Sequence, residues 1–239
     1  MKIITWNCNM AFRKKAGVIL KYKPDILVIQ ECEHTDKIKF PPGSPQPTGA
    51  LWIGSNLHKG LGIFSFGKYQ IQLHDNYSDK LKFVAPVLVT GGDFEFHLLA
   101  IWANNPTDKD GRYVTQVWKA IHYYEKLLSD ANCILTGDFN SNTIWDKSHK
   151  TGSHSDVVNV LEGKKIFSTY HLFHKQKQGV EKHPTLYLYR HKDKFYHLDY
   201  CFASAGFANK LEMVQIGGFK KWCALSDHVP LIVTFGEML

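Results

Sequence analysis

Twice in this chain an apolar strand, a helix and a second apolar strand follow one another, and both times the second strand runs into an acid. Residues 3–6 read as the first strand, and Phe12, Ala16, Ile19 and Leu20 then recur at helical spacing. Pro24-Asp25 stops that helix, and residues 26–29 form a strand leading into Gln30-Glu31. Further on, residues 95–102 read as a strand, and Val114, Val117, Trp118, Ile121 and Leu128 as one helix face. Residues 133–136 then form the next strand, which leads to Asp138. Residues 26–29 are apolar at every position, which predicts a central strand buried on both faces. If such strands lie in twisted sheets, their carboxyl ends gather at one rim, where open α/β sheets place ligands. Between the two units, residues 61–66 and 83–90 add strands, with Gly91-Gly92 as a hairpin turn. The Pro/Gly/Ser-rich stretch 40–49 is a loop, because strands resume on both sides. No linker or short repeat interrupts the pattern, so residues 1–239 are expected to form one domain of the α/β class.

Composition narrows the class of protein. Hydrophobic residues make up 44% and charged residues 21%, a globular balance that excludes a disordered or fibrous chain. No apolar run approaches the ~18 residues of a membrane span. Five cysteines, an odd number without a C-x-x-C pair, argue against a disulfide framework and a zinc site. A strand that starts near Lys2 leaves no room for a signal peptide. The expectation is a cytoplasmic protein with no membrane association and no obligate protein partner. The formal charge is +7, and the excess is concentrated. Residues 164–197 hold eight Lys/Arg against Glu181 and Asp193, together with five histidines and seven aromatics. Interleaved basic and aromatic residues suit a polyanion with stackable rings, which points to nucleic acid. The plainer alternative is a solvated loop around residues 175–179 and a half-buried strand at 186–189 whose tyrosines are core.

Polar or acidic groups stand immediately outside apolar strands in five places. These are Trp6-Asn7, Gln30-Glu31, Gly137-Asp138-Phe139-Asn140, His197-Leu198-Asp199 and Ser226-Asp227-His228. Asp138 and Asn140, two residues apart, point to the same side of an extended chain. Carboxylates with amide oxygens, and no thiolate cluster, favour a hard cation such as Mg²⁺, with Mn²⁺ as a substitute. Any one of these acids alone could be a turn former or helix cap. Glu31, after a buried strand, needs a partner or a metal.

In order and spacing the five segments resemble the endonuclease/exonuclease/phosphatase superfamily, the group of exonuclease III-type enzymes, deoxyribonuclease I and inositol polyphosphate 5-phosphatases. The resemblance runs from Thr5-Trp6-Asn7 to Ser226-Asp227-His228-Val229-Pro230. It implies a four-layer α/β/β/α sandwich, with two mixed sheets face to face and helices outside, and Mg²⁺-dependent phosphoester hydrolysis. It further implies that Glu31 is the principal metal ligand, assisted by Asn7 and Asp227. Asp138 would orient or deprotonate the attacking water, or protonate the leaving oxygen, and Asn140 would position a phosphate oxygen or the nucleophile. His228 would contact the scissile phosphate, held and kept charged by Asp199. Two positions depart from the family pattern. Asn104, in the run Asn104-Asn105-Pro106, stands where a second His or a Tyr is usual; it can hydrogen-bond a phosphate but cannot act as a cationic acid. Cys32-Glu33 follows Glu31, where abasic-site nucleases tend to carry Lys. Trp102 is assigned to the core. The leading expectation is a nucleic-acid phosphodiesterase with DNA as the favoured partner, and the alternative is a phosphatase of a small phosphorylated metabolite or lipid headgroup. A binding module without catalysis is opposed by the intact set of site residues.

Overall fold

The structure, a computed structural model, describes residues 1–104, 113–129, 132–148 and 151–237. Asn105 and Pro106 lie outside the described residues. In chain order the first strands are β1 (Lys2–Asn7), β2 (Ile26–Cys32), β3 (Gly49–Asn56), β4 (Lys59–Ser65), β5 (Gln70–Leu73), β6 (Val84–Thr90) and β7 (Phe96–Trp102). They are followed by β8 (Cys133–Asp138), β9 (Ile166–Ser168), β10 (Leu186–Tyr187), β11 (Phe195–Tyr196), β12 (Asp199–Ser204), β13 (Leu211–Ile216) and β14 (Leu231–Phe235). The helices are α1 (Ala16–Ile19), α2 (Val114–Tyr123), α3 (Glu125–Leu128), α4 (His154–Gly163), α5 (Thr169–His174), α6 (Ala205–Ala208) and α7 (Phe219–Trp222).

Two six-stranded sheets result, in the orders β13-β14-β1-β2-β4-β3 and β5-β6-β7-β8-β12-β9. Each is mixed: β1 runs parallel to β2 and β7 parallel to β8, and the other neighbours are antiparallel. The alternation of side chains along each strand sorts them into three cores. Ile3, Val28, Ile63, Val87, Leu98, Ala100 and Ile134 meet between the sheets. Leu99, Ile101, Leu135 and Phe202 face Val117, Ile121 and Leu161 of α2 and α4. Ile4, Trp6, Leu27 and Ile29 face Phe12, Ala16, Ile19 and Trp222. The strands are apolar on both faces because each sheet is covered on both faces, which is the expected four-layer α/β/β/α arrangement.

Several local expectations need correction. The helix expected after β1 is only the single turn α1 between two 3₁₀ turns, and Lys23 in the left-handed region (φ 51) ends it. The long helix expected at 114–128 breaks at Tyr124 into α2 and α3. The strand expected at 186–189 stops at Tyr187, because Tyr189 and Arg190 turn into the left-handed region (φ 55 and 60). Strands β3, β5, β9 and β13 had no strong apolar signature; all four lie at sheet edges, where one flank is unpaired and the pattern mixes polar residues. Trp102 is core, 2% exposed. Among the described residues no helix is long and apolar enough to cross a membrane.

Candidate active site

Strand direction brings the polar ends together. Asn7 closes β1, Glu31 lies near the end of β2, and Asp138 closes β8. Asp199 opens β12 directly opposite Asp138 in the antiparallel register, and His228 precedes β14. Polar bonds then tie the two sheets at this rim. The Asn7 amide donates to Asp138 Oδ2 (3.0 Å), and the buried Gln30 amide donates to the Ile101 carbonyl of β7 (3.1 Å).

Gly137 makes the position of Asp138 possible. Its φ of 149 places it outside ordinary side-chain conformations, and a Cβ there would run into the Ile101 carbonyl on β7. Strand β8 can therefore lie close against β7 just before its acid. Asp138 is fully buried and accepts from the Asn140 backbone N–H (2.9 Å) as well as from Asn7. Asn140, itself in the left-handed region (φ 48), donates its amide to the Ala103 carbonyl (3.1 Å), next to Asn104.

His228 is held from four sides. Its Nδ1 meets Asp199 Oδ2 at 2.8 Å, and its Nε2 faces Asp138 Oδ2 at 3.9 Å. Its backbone N–H donates to Ser226 Oγ, and its carbonyl accepts from the Trp6 indole (2.9 Å). Burial alone would push the imidazole down, but the carboxylates of Asp199 and Asp138 outweigh it and bring it up to about 10. The ring is an imidazolium donating through Nδ1 to Asp199. Asp138 is also raised, which for an acid favours the neutral form. Burial is the largest cause, opposed by the His228 charge and supported by the Asp199 charge, and its carboxyl is pushed up to about 7. Asp138, Asp199 and His228 have donor atoms within 4.8 Å of one another, a spacing that could hold a cation. Nδ1 of His228 is committed to Asp199, so the ring offers such a cation only Nε2, which faces Asp138.

Glu31 is the extra residue of a bulge between the pairs Gln30↔Leu61 and Cys32↔Gly60, and it takes φ 58. Left-handed backbone at a non-glycine is costly and concentrates at functional sites. Its carboxylate pairs with Lys59 (3.2 Å). Asp227 accepts from the Asn9 amide (3.3 Å), whose backbone N–H donates to Asn7 Oδ1 (3.1 Å). Asn9, Met10 and Ala11 form three successive left-handed residues (φ 50, 64 and 51). Glu33 is buried, 1% exposed, and holds that turn by accepting from the Phe12 and Arg13 backbone and from the Arg13 guanidinium. This explains the acid two residues after Glu31: it is a structural anchor. The sequence reading missed Asn9 and Lys59. Asn9 repeats the two-residue spacing after Asn7 and so had a local signal; Lys59 had none.

The segment 164–197 divides. Tyr170 and His197 are buried, and His171 bonds to Glu181 (3.0 Å), whose carboxyl lies near 2. Burial raises Glu181, but this is outweighed by bonds from His171, Gly179 and Asn142. Asn142 also donates to the His197 carbonyl, so this network braces the stretch just after Asp138-Phe139-Asn140. These rings support the site from behind and offer no stacking surface. The exposed remainder includes Tyr189 at 75%, with Arg190, His191, Lys192, Lys194 and Phe195 on the β10–β11 hairpin. The base of that hairpin bridges to His228 through Leu186.

Four packed layers with this polar rim are matched by the comparisons with known proteins. The sequence matches the Endonuclease/Exonuclease/phosphatase family over residues 4–228. The chain belongs to that family and is a hydrolase of phosphoester bonds. No curated protein sequence matches it. Among solved structures, it is similar to the 3'-5' exonuclease NExo from Neisseria meningitidis, with 20% identity and TM-score 0.67 over 99% of this chain and 100% of that one. It is also similar to an AP endonuclease from Archaeoglobus fulgidus, with 18% identity and TM-score 0.69 over 99% and 100%. A third is the 3' phosphatase NExo from Neisseria bound to product DNA hairpin, with 19% identity and TM-score 0.66 over 99% and 100%. At these identities the likeness is one of fold.

Proposed function

We propose that the protein is a Mg²⁺-dependent phosphodiesterase acting on nucleic acid, with DNA ahead of RNA. The observation that carries this reading is the cluster of Asp138, His228 and Asp199 at the joined rims of the two sheets. Asp138, brought near neutrality by burial, is suited to take a proton from an attacking water, since a general base works best close to the ambient pH. As the water oxygen bonds to phosphorus, its proton passes to Asp138, the P–O bond to the leaving group breaks, and the departing oxygen takes a proton from bulk water. His228, protonated and oriented by Asp199, stabilises the charge that grows on the phosphate oxygens in the transition state. Asn140 and Asn104 orient a phosphate oxygen or the nucleophile.

Glu31, Asn7 and Asp227 would hold the metal. The fit rests on the donor chemistry: two carboxylates and an amide oxygen, no sulfur, and a bulge that turns Glu31 out of the strand ladder. Bound Mg²⁺, or Mn²⁺ in its place, supplies neutralisation of the phosphate and of the leaving oxyanion.

The exposed basic and aromatic β10–β11 hairpin beside His228 supports a polymeric substrate. So does the likeness in fold to a phosphatase bound to a DNA hairpin and to an AP endonuclease. The test is a panel with Mg²⁺: duplex, single-stranded and abasic DNA, RNA, inositol phosphates and a generic phosphodiester, with Asp138→Asn as the control. Cleavage of DNA that is lost in the control is expected. Activity confined to inositol phosphates would replace the nucleic-acid reading with the small-phosphoester one.

A further inference from the structure

One cation at the rim is used by none of the roles above. Lys59 opens β4, and its Nζ lies 3.2 Å from Glu31 Oε1 and 5.4 Å from the centroid of the Trp102 ring. The β2 bulge explains the first contact: the pair Cys32↔Gly60 puts the extra residue Glu31 beside the start of β4. The second contact reaches the other sheet, because Trp102 ends β7 opposite Asp138. The ammonium thus bridges the rims of both sheets on the Glu31 side, while His228 stands on the Asp199 side. Glu31, Asp138, Asp199 and Asp227 gather at the same rim, and a phosphoester anion entering it meets a wall of acids. Lys59 is a cation beside this wall that solvent reaches: its side chain is 35% exposed, against 18% for Glu31. An ammonium carries three donors, and Glu31 engages one of them. A half-exposed ion pair alone contributes little to stability, so the pair is not needed to hold the fold.

We propose that Lys59 is a substrate-binding residue whose ammonium contacts a non-bridging oxygen of the phosphoester on the Glu31 side of the site. Lysine is suited to this as a point charge on a flexible stem. The inference rests on the phosphoester reading of the rim, and its test separates the two.

Binding is measured with Mg²⁺ present in the full chain, in the Asp138→Asn background for duplex DNA and in the unaltered chain for inorganic phosphate. Lys59→Met should weaken phosphate binding by about tenfold, the value of one charge-assisted hydrogen bond. It should also flatten the slope of log affinity against log salt for DNA by about 0.9, the release expected for one phosphate contact. Lys59→Arg should restore most of both. If the parent binds no duplex while Lys59→Met still weakens phosphate binding, duplex DNA falls as the substrate and Lys59 stands. If phosphate affinity and salt slope are unchanged in a folded Lys59→Met, the proposal is overturned. It is equally overturned if the only change is tighter Mg²⁺ binding, since Lys59 would then merely occupy Glu31. Should Lys59→Met fail to fold, Lys59→Gln is read in its place.

Discussion

Replacing Asp199 with Asn removes a charge while keeping the shape and an acceptor oxygen, which makes it the sharpest perturbation of the rim. An imidazole in water titrates near ~6.5, so a ring brought up to about 10 holds its proton about 5 kcal/mol more tightly. Burial opposes this, so the carboxylates around the ring, Asp199 and Asp138 foremost with a smaller share from Asp227, together supply more than that amount. Asp199 is the nearer one, at 2.8 Å, against 3.9 Å for Asp138. At an effective dielectric of ~20, a unit charge ~4 Å away is worth about 4 kcal/mol, or roughly three pH units. His228 in Asp199→Asn should therefore titrate near neutrality. Asp138 loses a like charge in the same variant, so its carboxyl should fall below its present value of about 7. Both limbs of the pH–rate profile, which belong to the coupled cluster as a whole, should move to lower pH. The direct assay is an NMR titration of the His228 ring in metal-free protein, paired with the rate profile on a generic phosphodiester. The stability consequence has the same sign. A raised imidazole stabilises the fold fully below ~6.5 and loses that contribution as pH climbs through the folded value, so Asp199→Asn should be less stable than the parent at pH 7. A ring that titrates at the same pH in both proteins would refute the electrostatic argument. Fully additive rate losses for Asp199→Asn and His228→Ala would show that the two do not act as a unit.

Three further outcomes are expected. Glu31→Gln should weaken Mg²⁺ binding in calorimetry and abolish turnover; unchanged affinity would remove Glu31 from the metal site. Burial pushes His154 down to about 4, so its neutral form stabilises the fold fully above ~6.5 and this is lost as pH falls toward 4. The destabilisation caused by His154→Gln, read from urea midpoints, should accordingly be smaller at pH 5 than at pH 7 by about 2 kcal/mol. Gly137→Ala should cost more than about 3 kcal/mol, because the new methyl meets the Ile101 carbonyl; a variant melting like the parent would show that β7 and β8 can part.

Local pattern placed polar and acidic residues at the ends of apolar strands, and their chemical roles came from the family resemblance. Apolar runs leading into Glu31 and Asp138, and polar residues at Asn7, Asp199 and His228, are visible in a linear chain because strand periodicity and residue type are local properties. What meets what is not local. Asn7 and Asp138 are 131 residues apart and Asp199 and His228 are 29 apart; they touch only because sheet order and antiparallel register align their strand ends. The same limit hid Lys59, which reaches Glu31 through a bulge on a neighbouring strand. It also blurred the segment 164–197, where composition could not tell the buried Tyr170 and His197 from the exposed Tyr189 and Phe195. Histidine and tyrosine are stable both in water and in a bonded interior, so their location is decided by partners such as Glu181 and Asn142. Those partners are supplied by packing.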